Sequence, residues 1–113
     1  MKMHTLSLNT SIKEVIQYFI NFNIAIALIT DTDKKLLGVI TQGDVIRFLN
    51  EYGNDYGKAE DIMTINFIYL NVSNLDKKDE MHLKHEIPHI PILQNNGKLY
   101  GLSSVYKKEI IYE

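Results

Sequence analysis

Apolar residues in the first half of the chain recur at two spacings, which predict a helix followed by a strand. Ser11 and Glu14 form a capping box where the helix begins. Its apolar face repeats at intervals of three and four residues: Ile12, Val15, Ile16, Phe19 and Ile20. Residues 24–29 are then all apolar. A run this short is typical of a buried strand rather than of a membrane span.

A polar turn at residues 31–35 separates this strand from a second apolar run, Leu36–Thr41, and the two runs predict a β-hairpin. A second helix is predicted from about Gly43 to Tyr52. Its inward-facing residues are predicted to be Val45, Ile46 and Leu49. Because the strand passes so directly into the helix, free backbone N–H groups at the helix start favour an anion there.

Thr41 and Asp44 lie at this strand-to-helix junction and allow two interpretations. A hydroxyl near a phosphate site, with a carboxylate that can accept from two vicinal hydroxyls, is what a nucleotide requires. The same pair also resembles a capping box, with Asp in place of the usual Glu or Gln, which is a purely structural role. The recurrence of the pattern later in the chain favours the first interpretation.

The second half of the chain repeats the order strand, helix, strand, strand, helix. The predicted elements are a strand over 66–70, a helix from about Ser73 to Glu86, strands over 88–93 and 98–103, and a closing helix over 104–112. Leu75, Met81 and Leu83 are the predicted buried residues of the helix. The Asn96-Gly97 pair predicts a tight hairpin turn. In an ungapped alignment of the halves, Gly38 falls on Gly101.

Each half is too small to bury both faces of its own sheet, so each needs the other. The sequence therefore predicts an α+β fold. Two β-α-β-β-α repeats pack by pseudo-twofold symmetry into one disc. Repeat 1 spans residues 1–52, a linker spans 53–60, and repeat 2 spans 61–113.

Composition narrows the function classes. The chain has 113 residues, of which 45% are hydrophobic and 23% charged, which is a globular balance for one compact unit. Its net charge of −2 predicts no nucleic-acid or membrane partner. The absence of cysteine excludes disulfides, thiolate zinc sites and a Cys nucleophile, and it fits a cytoplasmic protein. The N-terminus lacks the apolar core of a signal peptide.

Residues 85–89 have the letters of a His-Glu-x-x-His zinc motif. That motif needs both histidines on one face of a continuous helix, and Pro88 interrupts such a helix. We therefore predict no metal site, and expect His82 and His85 to lie at a solvated helix end. No nucleophile with a matching base is visible. A small stand-alone enzyme is the least favoured class of function.

The repeated pattern resembles a tandem pair of CBS domains, a family named after cystathionine β-synthase. Gly38–Asp44 matches the family pattern Gly-x-x-Thr/Ser-x-x-Asp. The runs Ile90–Leu93 and Leu99–Ser104 match the second copy of the pattern. Asp61–Thr64 is similar to the family's usual lead-in to a second copy. The resemblance covers the whole chain.

The resemblance implies a regulatory module without catalysis, which binds AMP, ADP, ATP or S-adenosylmethionine in the cleft between the repeats. It implies that Thr41 contacts phosphate and that Asp44 contacts the ribose hydroxyls. The other residues of that site are Leu6, Ile24, Ala25, Ile26, Gln42 and Gly43. A second, weaker site would contain His89, Ser104 and Lys107. Lys107 stands where Asp is expected, and an ammonium cannot accept from ribose hydroxyls.

The resemblance also implies a homodimer that forms disc to disc through helices. The first helix has a wide apolar face, and apolar residues of the second and closing helices would add to it: Val45, Ile46, Leu49, Val105, Ile110 and Ile111. The runs Gly38–Arg47 and Ile90–Leu102 resemble those that precede sugar-phosphate nucleotidyltransferase domains. A covalently linked or separate enzyme is therefore an expected partner. The alternative is a ligand-free dimerisation scaffold attached to an enzyme of that kind.

Overall fold

The computed structural model describes residues 4–112, and the side chains of residues 4–106. The helices are α1 (Ile12–Phe22), α2 (Gln42–Tyr52), α3 (Ala59–Ile62), a 3₁₀-helix (Val72–Lys77) and α4 (Lys78–His85). The strands are β1 (Ile26–Thr30), β2 (Leu36–Thr41), β3 (Leu70–Asn71), β4 (His89–Leu93), β5 (Leu99–Ser104) and β6 (Lys107–Tyr112). The predicted α+β class is confirmed. Thr5–Thr32 and Leu37–Phe67 form one compact unit, called the first unit. Asp33–Leu36 and residues 68–112 belong to the second.

The apolar face of α1 anchors the core of the first unit. Ser11 caps the helix by accepting a hydrogen bond from the Glu14 N–H at 3.1 Å, as its spacing predicts. The core cluster contains Val15, Tyr18, Phe19, Ala27, Ile29, Ile40, Val45 and Ala59. Ile20, predicted to be buried, is 67% exposed. It lies one turn beyond the half-buried Ile16, outside the buried stripe.

Short backbone pairings extend the β1–β2 sheet of the first unit. Leu6 lies parallel to β1, donating to Leu28 and accepting from Thr30, both at 2.9 Å. Val39 of β2 exchanges hydrogen bonds with Thr64. The sheet of the first unit therefore also includes Leu6, which precedes α1, and Thr64, which follows α3.

The predicted linker is ordered backbone that packs within the first unit. Ile12 donates to the Gly57 carbonyl at 3.0 Å, and Ala59 donates to the Thr10 carbonyl at 2.7 Å. Ala59 is fully buried. The compact unit consequently continues to Phe67, whereas the division of the repeats at residues 53–60 stays a prediction.

The second unit contains a four-stranded sheet in the order β3-β4-β5-β6. β3 lies parallel to β4, while β4–β5 and β5–β6 are antiparallel. Gly97 adopts a φ of 83° in the turn between β4 and β5, and its N–H donates to Gln94. The hairpin predicted from Asn96-Gly97 is confirmed.

Three predicted elements of the second unit are wrong in part. Residues 104–112 form a turn and β6 instead of a closing helix. The β-branched and aromatic residues that end this segment suit a strand, and β6 finds a partner in β5. In place of the strand predicted over 66–70, the structure has only the two-residue β3, which shares Leu70 with the prediction. The predicted helix is divided at Asn74, whose φ of −118° and ψ of 28° are non-helical.

Candidate functional site

The turn from Thr41 to Asp44 joins β2 directly to α2 and holds itself closed. Thr41 is the N-cap residue in an extended conformation. Its N–H donates to Asp44 Oδ2 at 2.8 Å, and the Asp44 N–H donates to Thr41 Oγ1 at 3.4 Å. The structural interpretation of the Thr41–Asp44 spacing, a capping box, is confirmed.

The Asp44 carboxylate already accepts three hydrogen bonds. Oδ2 takes the Thr41 N–H and the Thr41 hydroxyl, the latter at 3.1 Å. Oδ1 takes Nη2 of Arg47 at 2.5 Å. A carboxylate has about four lone-pair positions. One position therefore remains on Oδ1, and the 13% exposure of the side chain leaves a narrow approach to it.

Arg47 is a candidate site residue that the sequence reasoning missed. Its side chain is 72% exposed. A Cβ built on Gly43 would lie 3.3 Å from Arg47 Nη1 and 3.7 Å from Thr41 Oγ1. The missing side chain of Gly43 thus leaves space where a guanidinium and a hydroxyl converge above the start of α2. The Asp44-x-x-Arg47 spacing on one helix face was the available signal.

Helix geometry adds backbone donors to this space. The Asp44 N–H is occupied by Thr41, whereas the N–H groups of Gln42 and Gly43 precede the first intrahelical donor. The partial positive charge of an eleven-residue helix lies behind them. The arrangement can hold an anion close to Arg47.

The same face of α2 borders a cavity within the first unit. The cavity has a volume of about 650 Å³ and is lined by residues that include Asp44, Arg47, Phe48, Tyr52 and Asp61. The Phe48 and Tyr52 rings lie 4.6 Å apart. An aromatic surface therefore lies beside the Asp44–Arg47 pair.

The remaining residues predicted for the first site come from three places in the first unit. Ile26 begins β1 and is buried, Ala25 is exposed, and Ile24 packs against the core. Consecutive strands joined by a short loop are antiparallel, which brings the start of β1 to the same edge as Thr41. Leu6 pairs with Ile29, further along β1 and away from that edge.

The backbone positions of the second predicted site are brought together at one end of the second sheet. Ser104 pairs with His89 on one side and with Lys107 on the other. Lys107 is the first residue of β6, so the prediction that it lies on a closing helix is wrong. The side chain of Lys107 lies outside the described residues. The His89 ring lies 5.8 Å from that of Tyr106. Burial, and then the charge of His82, lower the pKa of His89.

His82 is buried instead of solvated. Its Nδ1 donates to the Ile87 carbonyl at 2.8 Å, which leaves Nε2 to accept from the Ser103 hydroxyl at 2.9 Å. In the ungapped alignment this pair falls on Phe19 and Ile40 of the first unit. A cavity of about 480 Å³ lies beside it, and the neighbouring Leu83, predicted to be buried, is 81% exposed. The second unit therefore has a hydrogen-bonded polar pair at the positions where the first unit has an apolar pair. As a result α4 buries His82 and not Leu83, which the sequence predicts to be buried.

The zinc-motif letters do not form a zinc site's helix. His85 is the last residue of α4 and His89 the first of β4, so no single helix carries both. Among the described side chains of residues 4–106, no three His, Asp or Glu residues are grouped as metal ligands would be. Within the same range, every helix is too short or too polar to cross a membrane.

Comparison with known proteins finds similarity to one family. The model of the CBS domain family matches residues 1–51. Inosine-5′-monophosphate dehydrogenase of Bifidobacterium longum is 33% identical over 86 residues, which cover 74% of this chain and 16% of the dehydrogenase. The chain thus spans a small part of that relative's length.

Two solved structures share the fold. A signal-transduction protein with CBS domains from Burkholderia ambifaria is 28% identical with a TM-score of 0.76, covering 93% of this chain and 78% of that one. CBSX2, solved in complex with AMP, is 21% identical with a TM-score of 0.78, covering 92% and 82%. The match to the CBS domain family model thus spans residues 1–51, and the described chain has the fold of solved CBS-domain proteins.

Proposed function

We propose that this chain is a regulatory module that binds an adenine nucleotide at the turn Thr41–Asp44 and has no catalysis of its own. The observation that carries the proposal is the convergence of anion donors and a carboxylate at one turn. Gln42 and Gly43 offer backbone N–H groups there. The Asp44 carboxylate lies one helical turn from them. A nucleotide presents phosphate and a vicinal diol in this order.

In this proposal the 5′-phosphate lies at the start of α2, and the ribose hydroxyls donate to Asp44 Oδ1. The adenine lies toward the start of β1, at Ile24, Ala25 and Ile26, with Leu6 beyond. AMP is the first candidate, since CBSX2 was solved with AMP. ADP, ATP and S-adenosylmethionine share the adenosyl group and are the other candidates. His89, Ser104 and Lys107 form the weaker second site.

The partners follow from the same proposal. We propose that the module forms a homodimer, is cytoplasmic, and regulates an enzyme domain that is covalently linked or separate. The sequence suggests that this enzyme is a sugar-phosphate nucleotidyltransferase, whereas the relatives of this chain include inosine-5′-monophosphate dehydrogenases. Neither nucleic acid nor a membrane is a partner in this proposal.

One observation favours a second candidate, the ligand-free dimerisation scaffold. Asp44 already serves as a cap and as the ion-pair partner of Arg47. If these bonds are permanent, the carboxylate has only a structural role. The two candidates differ in whether any adenosyl ligand stabilises the fold.

A thermal-shift panel of AMP, ADP, ATP and S-adenosylmethionine decides between them. A ligand at 100 times its Kd should stabilise the fold by about 2.7 kcal/mol. Glu14→Gln is the matched control for Asp44→Asn, because Glu14 lies in the first turn of α1, away from this cavity, and its Oε1 accepts from the hydroxyl of the capping residue Ser11 at 3.1 Å. Stabilisation that survives Glu14→Gln and is lost in Asp44→Asn supports nucleotide binding. An unshifted transition with all four ligands supports the scaffold.

A further inference from the structure

The Asp44–Arg47 ion pair competes with the ribose that Asp44 is proposed to bind. We infer that Arg47 makes the site selective for adenine nucleotides that carry a 5′-phosphate, because only a phosphate draws the guanidinium away from Asp44. The inference rests on the proposed function and assigns a specificity role to a residue outside the Thr41–Asp44 turn.

While Arg47 is bound to it, Asp44 has too few free acceptor positions for a vicinal diol. A vicinal diol donates two hydrogen bonds, and Asp44 has about one lone-pair position left while Arg47 Nη2 occupies Oδ1. The Thr41 donors on Oδ2 close the helix cap and cannot leave without opening it. Arg47 is the donor that can leave, since its side chain is 72% exposed and its guanidinium makes one short contact with Asp44.

Arg47 lies close to the space in which the phosphate is proposed to bind. Its Nη1 and Nη2 lie 3.3 Å and 3.8 Å from the point where a Cβ of Gly43 would be. A phosphate held by the N–H groups of Gln42 and Gly43 is therefore within reach of the guanidinium after a small side-chain rotation. Arg pairs with phosphate through two parallel N–H donors, which is stronger than its single contact with Asp44.

Phosphate binding and ribose binding are therefore coupled through Arg47. When Arg47 turns to the phosphate, Oδ1 regains a lone-pair position, so both ribose hydroxyls find acceptors on Asp44. The hydrogen bonds balance, because the guanidinium exchanges a carboxylate for a phosphate and the carboxylate exchanges a guanidinium for a hydroxyl. Adenosine lacks the phosphate, and S-adenosylmethionine carries a cationic sulfonium at the same 5′ position. Neither compound frees Asp44.

Calorimetric titration of AMP and adenosine tests the coupling on the wild type, Arg47→Met and Arg47→Lys. We expect wild type to prefer AMP by more than tenfold. Arg47→Met should weaken AMP and tighten adenosine, so that the preference falls by about tenfold. Arg47→Lys should restore part of the preference. Lys13→Met, which removes an exposed cation of α1, should leave it unchanged.

Two outcomes overturn the inference, and they differ from failure of the proposed function. Equal wild-type affinities for AMP and adenosine would remove the selectivity, and an unchanged preference in Arg47→Met would remove Arg47 from it. If neither compound binds any variant, the proposed function fails and the inference with it. Arg47 is exposed, so a thermal midpoint near that of the wild type will confirm that Arg47→Met is folded.

Discussion

Thr41 and Asp44 each cap the other's backbone: the carboxylate of Asp44 accepts the Thr41 N–H, and the hydroxyl of Thr41 accepts the Asp44 N–H. The pair thus stabilises the start of α2 before any ligand is considered. A ligand that uses these side chains binds to a turn whose geometry is already set.

Thr41→Ala should destabilise the protein by about 1 kcal/mol, because it removes the hydroxyl that caps Asp44. Thr41→Ser keeps the hydroxyl and should retain most of the stability. Chemical denaturation of both variants measures the difference. Equal stability of Thr41→Ala and the wild type would mean that the cap contributes nothing at this turn.

Asp44→Ala should weaken AMP more than Lys107→Ala does. Loss of a hydrogen bond to a charged group costs about 1.5–3 kcal/mol, which is about ten- to a hundredfold in Kd. Calorimetry on the two variants is the measurement. If both substitutions weaken AMP equally, or only Lys107→Ala does, the first site has been assigned to the wrong turn.

Much of the first unit could be predicted because its signals are local. The capping residues Ser11 and Thr41 act on neighbouring backbone, so spacing alone reveals them, and the same holds for the hairpin glycine Gly97 of the second unit. Arg47 was missed because its role depends on where the guanidinium lies above Gly43. The closing helix was predicted wrongly because the pairing of β6 with β5 is a tertiary contact. His82 was misplaced because burial was assigned from polarity, and its partner Ser103 is distant in sequence.

Ser103→Ala should destabilise the second unit by about 1–3 kcal/mol, since Nε2 of the buried His82 loses its only partner among the described residues. The double variant His82→Phe/Ser103→Ile introduces the pair found at the aligned positions of the first unit. It should recover stability relative to Ser103→Ala, because it removes the buried ring nitrogen that Ser103→Ala leaves unpaired, and only the Ile87 carbonyl then loses its donor. Denaturation midpoints test both. A double variant that is less stable than the single one would show that the polar pair is required for packing.

Stability should fall on acidification because burial, with the charge of His82, lowers the pKa of His89. The folded state then favours the neutral ring, so the unfolded chain binds more protons as pH falls through about 6.5, the usual histidine value. The loss should level off below the lowered folded pKa. Thermal midpoints between pH 7.5 and 5 measure it. His89→Gln should reduce the slope, and an identical slope in that variant would assign the effect to other groups.

A homodimer is expected because apolar side chains of α1 and α2 remain uncovered in the described chain. Ile20 is 67% exposed, Ile46 57% and Phe22 44%. Val105, at 55%, now lies in a turn, and the side chains of Ile110 and Ile111 are outside the described residues. Sedimentation at micromolar concentration should show a dimer that Ile20→Asp/Ile46→Asp weakens. A monomer at high concentration would contradict this expectation.

The segment between the two repeats sets where this protein can be divided. Val39 exchanges hydrogen bonds with Thr64 at 3.1 and 2.8 Å, and Gly38 leaves room for Met63, whose Sδ would lie 2.7 Å from a Cβ at that glycine. A fragment cut after Tyr52 would expose these surfaces and leave the Thr10 and Val39 backbone groups without partners. A stretch that retains this core and a complete Thr41–Asp44 turn should therefore continue through Phe67, so that the backbone partners of Thr10 and Val39 are included.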